Sequence, residues 1–320
     1  MSATRRVAAI DCGTNSLRLL VADVAADGTA RDLVRSNTIV RLGQGVDATG
    51  AFAPEALTRT FAACDEVAAT LARLGVGPDA TRFVATSASR DVSNRAEFVA
   101  GVLDRLGVEP DVVSGTEEAR LSFVGATREL VGSRPDPFCV VDLGGGSTEF
   151  VLGRADVEAS LSVDVGSVRL TERHLHDDPP TPEQVAAARA DVAAALDRVE
   201  EAVPLARTAT LVGVAGTVTT LTAAVADLPA YEPGSVHGRE QPIADVRATC
   251  AWLLALPRAE RRTRPWLHPG RVDVIGAGAL VWDAVLERFA GRAGLSSVLS
   301  SEHDILDGIA RSVVERADRS

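Results

Sequence analysis

The stretch AIDCGTNSLRLLV, residues 9–21, decides the fold. It begins as an apolar strand and breaks at Asp11 into Cys12-Gly13-Thr14-Asn15-Ser16. It then resumes as Leu17-Arg18-Leu19-Leu20-Val21. A tight turn between two strands needs one Gly or Asn that can take a positive φ. This turn holds both, together with two hydroxyls and a carboxylate, which is more polar chemistry than a hairpin requires.

The same pattern returns at a constant offset of 131 residues. IDCGTNSLRLLV (10–21) aligns with VDLGGGSTEFVL (141–152): Asp11 with Asp142, Gly13 with Gly144, Ser16 with Ser147. The flanks match in kind, Ile10 with Val141, Leu19 with Phe150 and Leu20 with Val151. Internal repetition of this sort predicts two domains of one plan, each opening on a β-hairpin with an acidic, Gly/Ser-rich turn.

Composition agrees with that size. The 320 residues suit two domains, and 46% hydrophobic residues suffice for two cores. No apolar run reaches the roughly 18 residues of a membrane-spanning helix. The opening Met1-Ser2-Ala3-Thr4-Arg5-Arg6 runs into a short strand without a signal-peptide apolar region, so a soluble cytoplasmic chain is expected. A net charge of −11 argues against a nonspecific nucleic-acid binder. An anionic substrate must then meet local Arg, backbone N–H groups or a metal ion. All 33 basic residues are Arg, so no lysine serves as base, Schiff base or phosphate ligand. Cys12, Cys64, Cys139 and Cys250 stand far apart, which predicts reduced, buried thiols rather than zinc or disulfides. His176-Asp177 and His303-Asp304 lack further ligands nearby in the sequence, and neither predicts a metal site.

The first half reads as a hairpin (about 7–24), a strand (33–42), a helix from Pro54 to Leu74 stopped by Gly75, and a strand (82–85) ending in TSASRD. A helix (96–106), a strand (111–113) and a helix opening at SGTEEARL follow. The second half has strands at 138–143, 149–152 and 159–165 and helices at 171–176 and 182–203. A strand at 209–213 leads into VAGTVTTL and a helix; helices at 243–256 and 269–288, a strand at 297–299 and a helix from about 303 finish it. RELVGSRPDP (128–137) reads as the junction, and 230–240 as a second long loop.

Two such turns are two nests of backbone N–H groups, ready-made anion sites. Asp11 and Asp142 would repel a bare phosphate, and they make sense beside a hard cation such as Mg²⁺. A third turn, GVAGTVTTL (213–221), leaves a strand for a helix N-terminus, whose dipole favours anions. In SGTEEARL, Ser114 and Glu117 have capping-box spacing, which gives Glu117 a structural task and leaves Glu118 as a carboxylate for chemistry. Arg90, in a loop of small polar residues, suits a guanidinium that grips phosphate, with pairing to Asp91 as the alternative. Arg18 stands where the second hairpin has Glu149, and either pairing with Glu149 or plain solvation would suit it.

The repeated turn resembles the paired phosphate loops of the actin/sugar-kinase/Hsp70 superfamily. The fuller pattern resembles the exopolyphosphatase/guanosine-pentaphosphate phosphohydrolase (Ppx/GppA) family within it. The matching pieces are AIDCGTNSLRLLVADV, TSASRDVSN, VSGTEEARLSFVGA, VVDLGGGSTEFVL, DVGSVRLTER, GVAGTVTTL, RVDVIGAGAL and SEHDILDGI, in order along nearly the whole chain. Cys12-Gly13-Thr14 replaces a commoner Ile-Gly-Ser.

The resemblance implies an α/β fold of two actin-like (ribonuclease H-like) β-β-β-α-β-α domains, facing each other across an inter-domain cleft. They would span 1–127 and 138–302, with 128–137 as junction and a helix at about 303–320 returning to the first. No HD-like C-terminal domain is expected, and short polyphosphate chains are therefore expected as substrate. The implied activity is release of orthophosphate from the end of inorganic polyphosphate, with Mg²⁺ (or Mn²⁺) as cofactor. Glu118 is implied as general base, with Arg90, Asp142 and Glu149 beside it. Phosphate binding is expected from Asp11, Gly13, Thr14, Asn15, Ser16, Gly144, Gly145, Gly146, Ser147, Thr148, Gly216 and Thr217, and metal binding from Asp142, Glu149 and Asp11. Arg169 and Arg271 are further candidates for a phosphate tail. Asp273, Gly276 and Gly278 would serve either a nucleotide pocket or close helix packing. Guanosine pentaphosphate, a signal of the stringent response, is the alternative substrate. An ATP-dependent kinase and a non-catalytic polyphosphate or alarmone sensor stand further off. No nucleic acid or membrane partner is implied, and a homodimer is compatible.

Overall fold

The computed structural model describes residues 4–25 and 29–317. The first three residues of the N-terminal stretch and the last three of the expected C-terminal helix lie outside them. In chain order the strands are β1 (Arg5–Cys12), β2 (Ser16–Val24), β3 (Ala30–Ile39), β4 (Thr81–Ala85), β5 (Asp111–Val112), β6 (Phe138–Leu143), β7 (Thr148–Gly153), β8 (Val157–Val163), β9 (Thr210–Val214), β10 (Glu240–Pro242) and β11 (Ser297–Ser300). The helices are α1 (Val46–Thr49), α2 (Pro54–Leu74), α3 (Arg95–Leu106), α4 (Gly115–Thr127), α5 (Ser167–His174) and α6 (Pro182–Ala202). They continue as α7 (Ala215–Val225), α8 (Pro233–Val236), α9 (Ile243–Ala255), α10 (Arg258–Arg261), α11 (Ile275–Ala293) and α12 (Ile305–Ala317). The chain divides into two compact units, Met1–Gly125 with Ile305–Ser320, and Ala126–Asp304.

In the first unit a mixed sheet runs β3-β2-β1-β4-β5, with β1 antiparallel to β2 and parallel to β4. Side chains alternate across a strand. Ala8 and Ile10 therefore join the core formed with α2 and α3, while Val7 and Ala9 join one formed with Leu121 of α4 and Ile305, Leu306 and Ile309 of α12. Both faces are covered, which is why β1 reads as an unbroken apolar run. Asp11 follows Val7 and Ala9 onto the α4 face. Gly308 lets α12 come close, since a Cβ there would stand 2.0 Å from the Leu121 carbonyl oxygen.

The second unit repeats the plan. Its sheet runs β8-β7-β6-β9-β11-β10, the same order with one antiparallel strand added at the edge. Its core gathers β6, β7, β9 and the helices around Trp282, Phe289 and Phe150, all fully buried. The α/β class and the β-β-β-α-β-α order in each unit are as the repeat predicts.

Several boundaries differ from expectation for tertiary reasons. β3 ends at Ile39, because the Val40 and Arg41 amides turn back to donate to the Asn15 carbonyl, with Arg41 at φ 51°. α5 starts at Ser167 instead of 171, because the amides of Ser167, Val168 and Arg169 are capped by the carbonyls of Gly144 and Gly145. The expected helix at 269–288 is a 3₁₀ turn (Pro269–Arg271) followed by α11 from Ile275. The expected loop at 230–240 holds α8 and leads into the edge strand β10. No helix among the described residues is long and apolar enough to cross a membrane.

Candidate active site

The two repeated turns close by the same hydrogen bond. The Gly13 amide donates to the Ser16 carbonyl at 2.9 Å, and the Gly144 amide to the Ser147 carbonyl at 3.0 Å. In the second turn the carbonyls of Gly144 and Gly145 accept from the first amides of α5, and that of Gly146 accepts from Arg169 Nε at 2.7 Å. A trans peptide sets each C=O opposite the next N–H. The amides of Gly145, Gly146 and Ser147 therefore point away from α5, three in succession, a concave donor set suited to an anion. Gly166 permits this closeness, since a Cβ there would stand 2.6 Å from the Gly145 carbonyl. In the first turn the Thr14 carbonyl accepts from Gly43 and the Asn15 carbonyl from Val40 and Arg41. The Asn15 and Ser16 amides are thereby directed away from that segment.

The third turn leaves β9 at Val214 and enters α7 at Ala215, which takes φ 70°. An alanine in the left-handed region costs about 1–2 kcal/mol, a strain that concentrates at functional turns. Ala215 was not among the residues picked from sequence; a non-glycine at positive φ leaves no compositional mark. It presents the first amides of α7, at Gly216 and Thr217, which lack intrahelical partners. Arg271 Nη1 donates to the Gly216 carbonyl at 3.2 Å, and its guanidinium fills the space a Cβ at Gly216 would need. Arg169 and Arg271, expected to hold a phosphate tail, thus each brace the backbone of a glycine turn.

In the first unit, Arg90 and Glu118 meet. Arg90 Nη2 forms an ion pair with Glu118 Oε2, while its Nε donates to the Val113 carbonyl at 3.1 Å. β5 and the loop after β4 thus position one side chain against the first turn of α4. Glu118 is 7% exposed. Ser114 Oγ accepts from the Glu117 amide at 3.2 Å, the forward half of the capping box. The Glu117 carboxylate does not close that box: it accepts from Arg120 Nε and Nη2 at 3.0 and 3.2 Å and lies 3.5 Å from Arg82. Those arginines hold its pKa below the usual carboxylate value, the Arg120 hydrogen bond first among the causes.

Asp11 is the register partner of Arg18, and Arg18 Nε and Nη2 both donate to Asp11 Oδ2, at 2.9 and 2.7 Å. Neither alternative raised for Arg18 named this partner. The equivalent pair in the second unit is Asp142 opposite Glu149, two buried carboxylates on one face of adjacent strands. Ser162, opposite Glu149 on β8, donates its hydroxyl to Glu149 Oε1 at 2.7 Å. Thr148 donates its hydroxyl to the Val165 carbonyl at 2.6 Å, and so ties the turn to the end of β8. Thr14 lies in hydrogen-bond contact with Ser87, 3.2 Å between hydroxyls, linking the first turn to the TSASRD loop.

Gly276 and Gly278 serve close packing. A Cβ at Gly276 would stand 2.7 Å from Arg261, which is buried and donates to the carbonyls of Leu253, Leu254 and Val272. A Cβ at Gly278 would meet the Thr217 side chain at 2.7 Å. All four cysteines are free and buried, and burial raises each thiol pKa, that of Cys139 to about 12.

The model of the Ppx/GppA phosphatase family matches residues 20–313. The chain belongs to the Ppx/GppA phosphatase family. Among Ppx/GppA relatives, exopolyphosphatase 2 of Mycobacterium tuberculosis is 50% identical, over 97% of this chain and 99% of that protein. The crystal structure of an exopolyphosphatase-like protein has a TM-score of 0.95 at 44% identity, covering 98% of this chain and 99% of that one. A Ppx/GppA family member from Aquifex aeolicus has a TM-score of 0.78 at 27% identity, covering 99% and 100%. The two-unit actin-like architecture is the one these Ppx/GppA structures share.

Proposed function

We propose that this chain is an exopolyphosphatase that hydrolyses the terminal phosphoanhydride bond of inorganic polyphosphate. The observation that carries the reading is the Arg90–Glu118 pair. It places a buried carboxylate in the first turn of a helix and a guanidinium against it. Glu118 takes a proton from water as its oxygen bonds to the terminal phosphorus, and the bond to the bridging oxygen breaks, leaving its charge on the shortened chain. Arg90 fixes the rotamer of Glu118 and supplies positive charge beside the equatorial oxygens. Within the first unit the amides of Asn15 and Ser16, and within the second those of Gly145, Gly146, Ser147 and the α7 N-terminus, are donors suited to phosphate oxygens. The relation to a protein named exopolyphosphatase 2 supports polyphosphate as the substrate class.

The donor set fits a hard divalent cation. Asp142 and Glu149 offer carboxylate oxygens side by side, with Ser162 orienting one of them, and Mg²⁺ takes such ligands. Asp11 already has its charge met by Arg18, which makes it the weakest of the three expected ligands. Bound there, Mg²⁺ would neutralise phosphate charge.

The test is orthophosphate release from linear polyphosphate, guanosine pentaphosphate and ATP, by the wild type and by Glu118→Gln. The proposal expects the highest kcat/KM on polyphosphate and its loss in the variant. A higher kcat/KM on guanosine pentaphosphate would move the assignment to the nucleotide substrate. Unchanged kcat in Glu118→Gln would remove Glu118 from the chemistry.

A further inference from the structure

Three potential ligands from distant parts of the chain meet in the second unit, and none of them belongs to the turns described above. Glu129 follows α4, His237 follows α8, and His303 lies between β11 and α12. His237 Nε2 is 3.2 Å from Glu129 Oε2, and His303 Nδ1 is 3.6 Å from Glu129 Oε1. One ligand atom from each residue lies within 4.8 Å of the others. The two imidazoles face each other, with ring centroids 4.3 Å apart.

We propose that Glu129, His237 and His303 form a binding site for a divalent transition-metal ion of the zinc class. Zinc bonds of about 2.0–2.1 Å to nitrogen and oxygen put neighbouring tetrahedral ligand atoms about 3.3–3.4 Å apart. The edge from His237 Nε2 to Glu129 Oε2 is nearly in place at 3.2 Å; His303 Nδ1 lies 3.6 Å from the other carboxylate oxygen, so a small rotation of the carboxylate or of the His303 ring would complete the set. Two imidazoles and one carboxylate form a borderline donor set that prefers zinc over magnesium, and three protein ligands leave a position for water. All three side chains keep solvent exposure, so an ion can reach them. The Glu302 amide donates to His237 Nδ1 at 3.2 Å, which places the proton of the neutral ring on Nε2. Zinc takes the place of that proton; Nδ1 then carries one, and the Glu302 contact opens. Occupancy therefore costs one long hydrogen bond. His303 is braced by Ser301, whose Oγ accepts from the His303 amide at 3.0 Å and donates to its carbonyl at 2.8 Å.

The second unit begins at Ala126 and ends at Asp304. The metal would tie its first and last segments to the loop after α8. An ion that binds only the folded unit stabilises it by mass action.

The test titrates the full chain, stripped by chelator, with Zn²⁺ against a chromogenic competitor. Excess Mg²⁺ is kept present to fill carboxylate-only sites. One equivalent should bind and raise the unfolding temperature. His237→Gln and His303→Gln should each weaken binding by at least the roughly 10–100-fold seen when a mere orienting partner of a ligand is lost. Circular dichroism checks that both variants fold. Co²⁺ on the wild type gives a second readout: visible bands of tetrahedral intensity without a thiolate charge-transfer band. No zinc bound by the wild type, wild-type affinity in both variants, or a thiolate band would each overturn the proposal.

Discussion

Asp142 and Glu149 stand directly opposite each other on β6 and β7, at the place where the first unit sets Asp11 opposite Arg18. One repeat thus carries an internal ion pair and the other a pair of carboxylates. The hairpins share a backbone and differ in charge at one position of β2 and β7. That single difference makes the second hairpin the metal-binding candidate.

Ser162→Ala should therefore raise the Mg²⁺ concentration for half-maximal activity by roughly 10–100-fold, the usual cost of removing an orienting partner. Maximal kcat at saturating metal should change little. Glu149→Gln should lower activity at every metal concentration. A metal titration of polyphosphate hydrolysis checks both, and full activity of the wild type in chelator would remove the metal.

Glu118→Gln should reduce kcat by about 10²–10⁴-fold, the usual share of a general base, with little change in KM. Glu117→Gln should keep most of kcat, because that carboxylate is engaged by Arg120 and Arg82. Steady-state kinetics of the two variants side by side decides between the neighbours.

Gly308→Ala and Gly291→Ala should move stability in opposite directions. A Cβ at Gly308 collides with the Leu121 carbonyl oxygen at 2.0 Å, and backbone cannot easily yield. The loss should be at least about 3 kcal/mol, at the upper end of overpacking costs. Gly291 lies within α11 with nothing near its missing Cβ, so alanine there should add about 0.5–1 kcal/mol. Chemical denaturation measures both.

His268 should titrate below its ordinary value of 6.5, because it is partly buried and lies near the Arg271 charge. Its Nδ1 accepts from the Gly270 amide at 3.1 Å, which uses the neutral ring. The folded value lies below the unfolded one, so the unfolded chain binds the proton first. The His268 contribution is complete above pH about 6.5 and is lost as pH falls through the folded value. NMR titration of the imidazole gives the direction directly. His268→Asn, which keeps an acceptor without the titration, should be less sensitive to acid than the wild type.

The repeat, the two turns, the β-β-β-α-β-α element order of each unit and the exact span of α2 were legible in the sequence. These depend on local rules: period-two burial in β1, proline at a helix start, glycine at its stop. Glu118 was separable from Glu117 by the spacing from Ser114, although the reciprocal half of that cap is replaced by Arg120. The early start of α5, the strained Ala215 and the bracing by Arg169 and Arg271 were not legible, because each depends on a partner far along the chain. Gly276 looked equally apt for a nucleotide and for packing until Arg261 was seen in the space its side chain would occupy. His303 showed only an Asp beside it in the sequence; Glu129 and His237 reach it through the fold. The sequence alone determined the repeat and most of the strands and long helices, and marked the turns as candidate anion sites, since backbone preference and hydrophobic period act between near neighbours. Only the tertiary structure decided which carbonyls are occupied, which way the amides face and which charges are already paired, since those depend on groups that folding brings together.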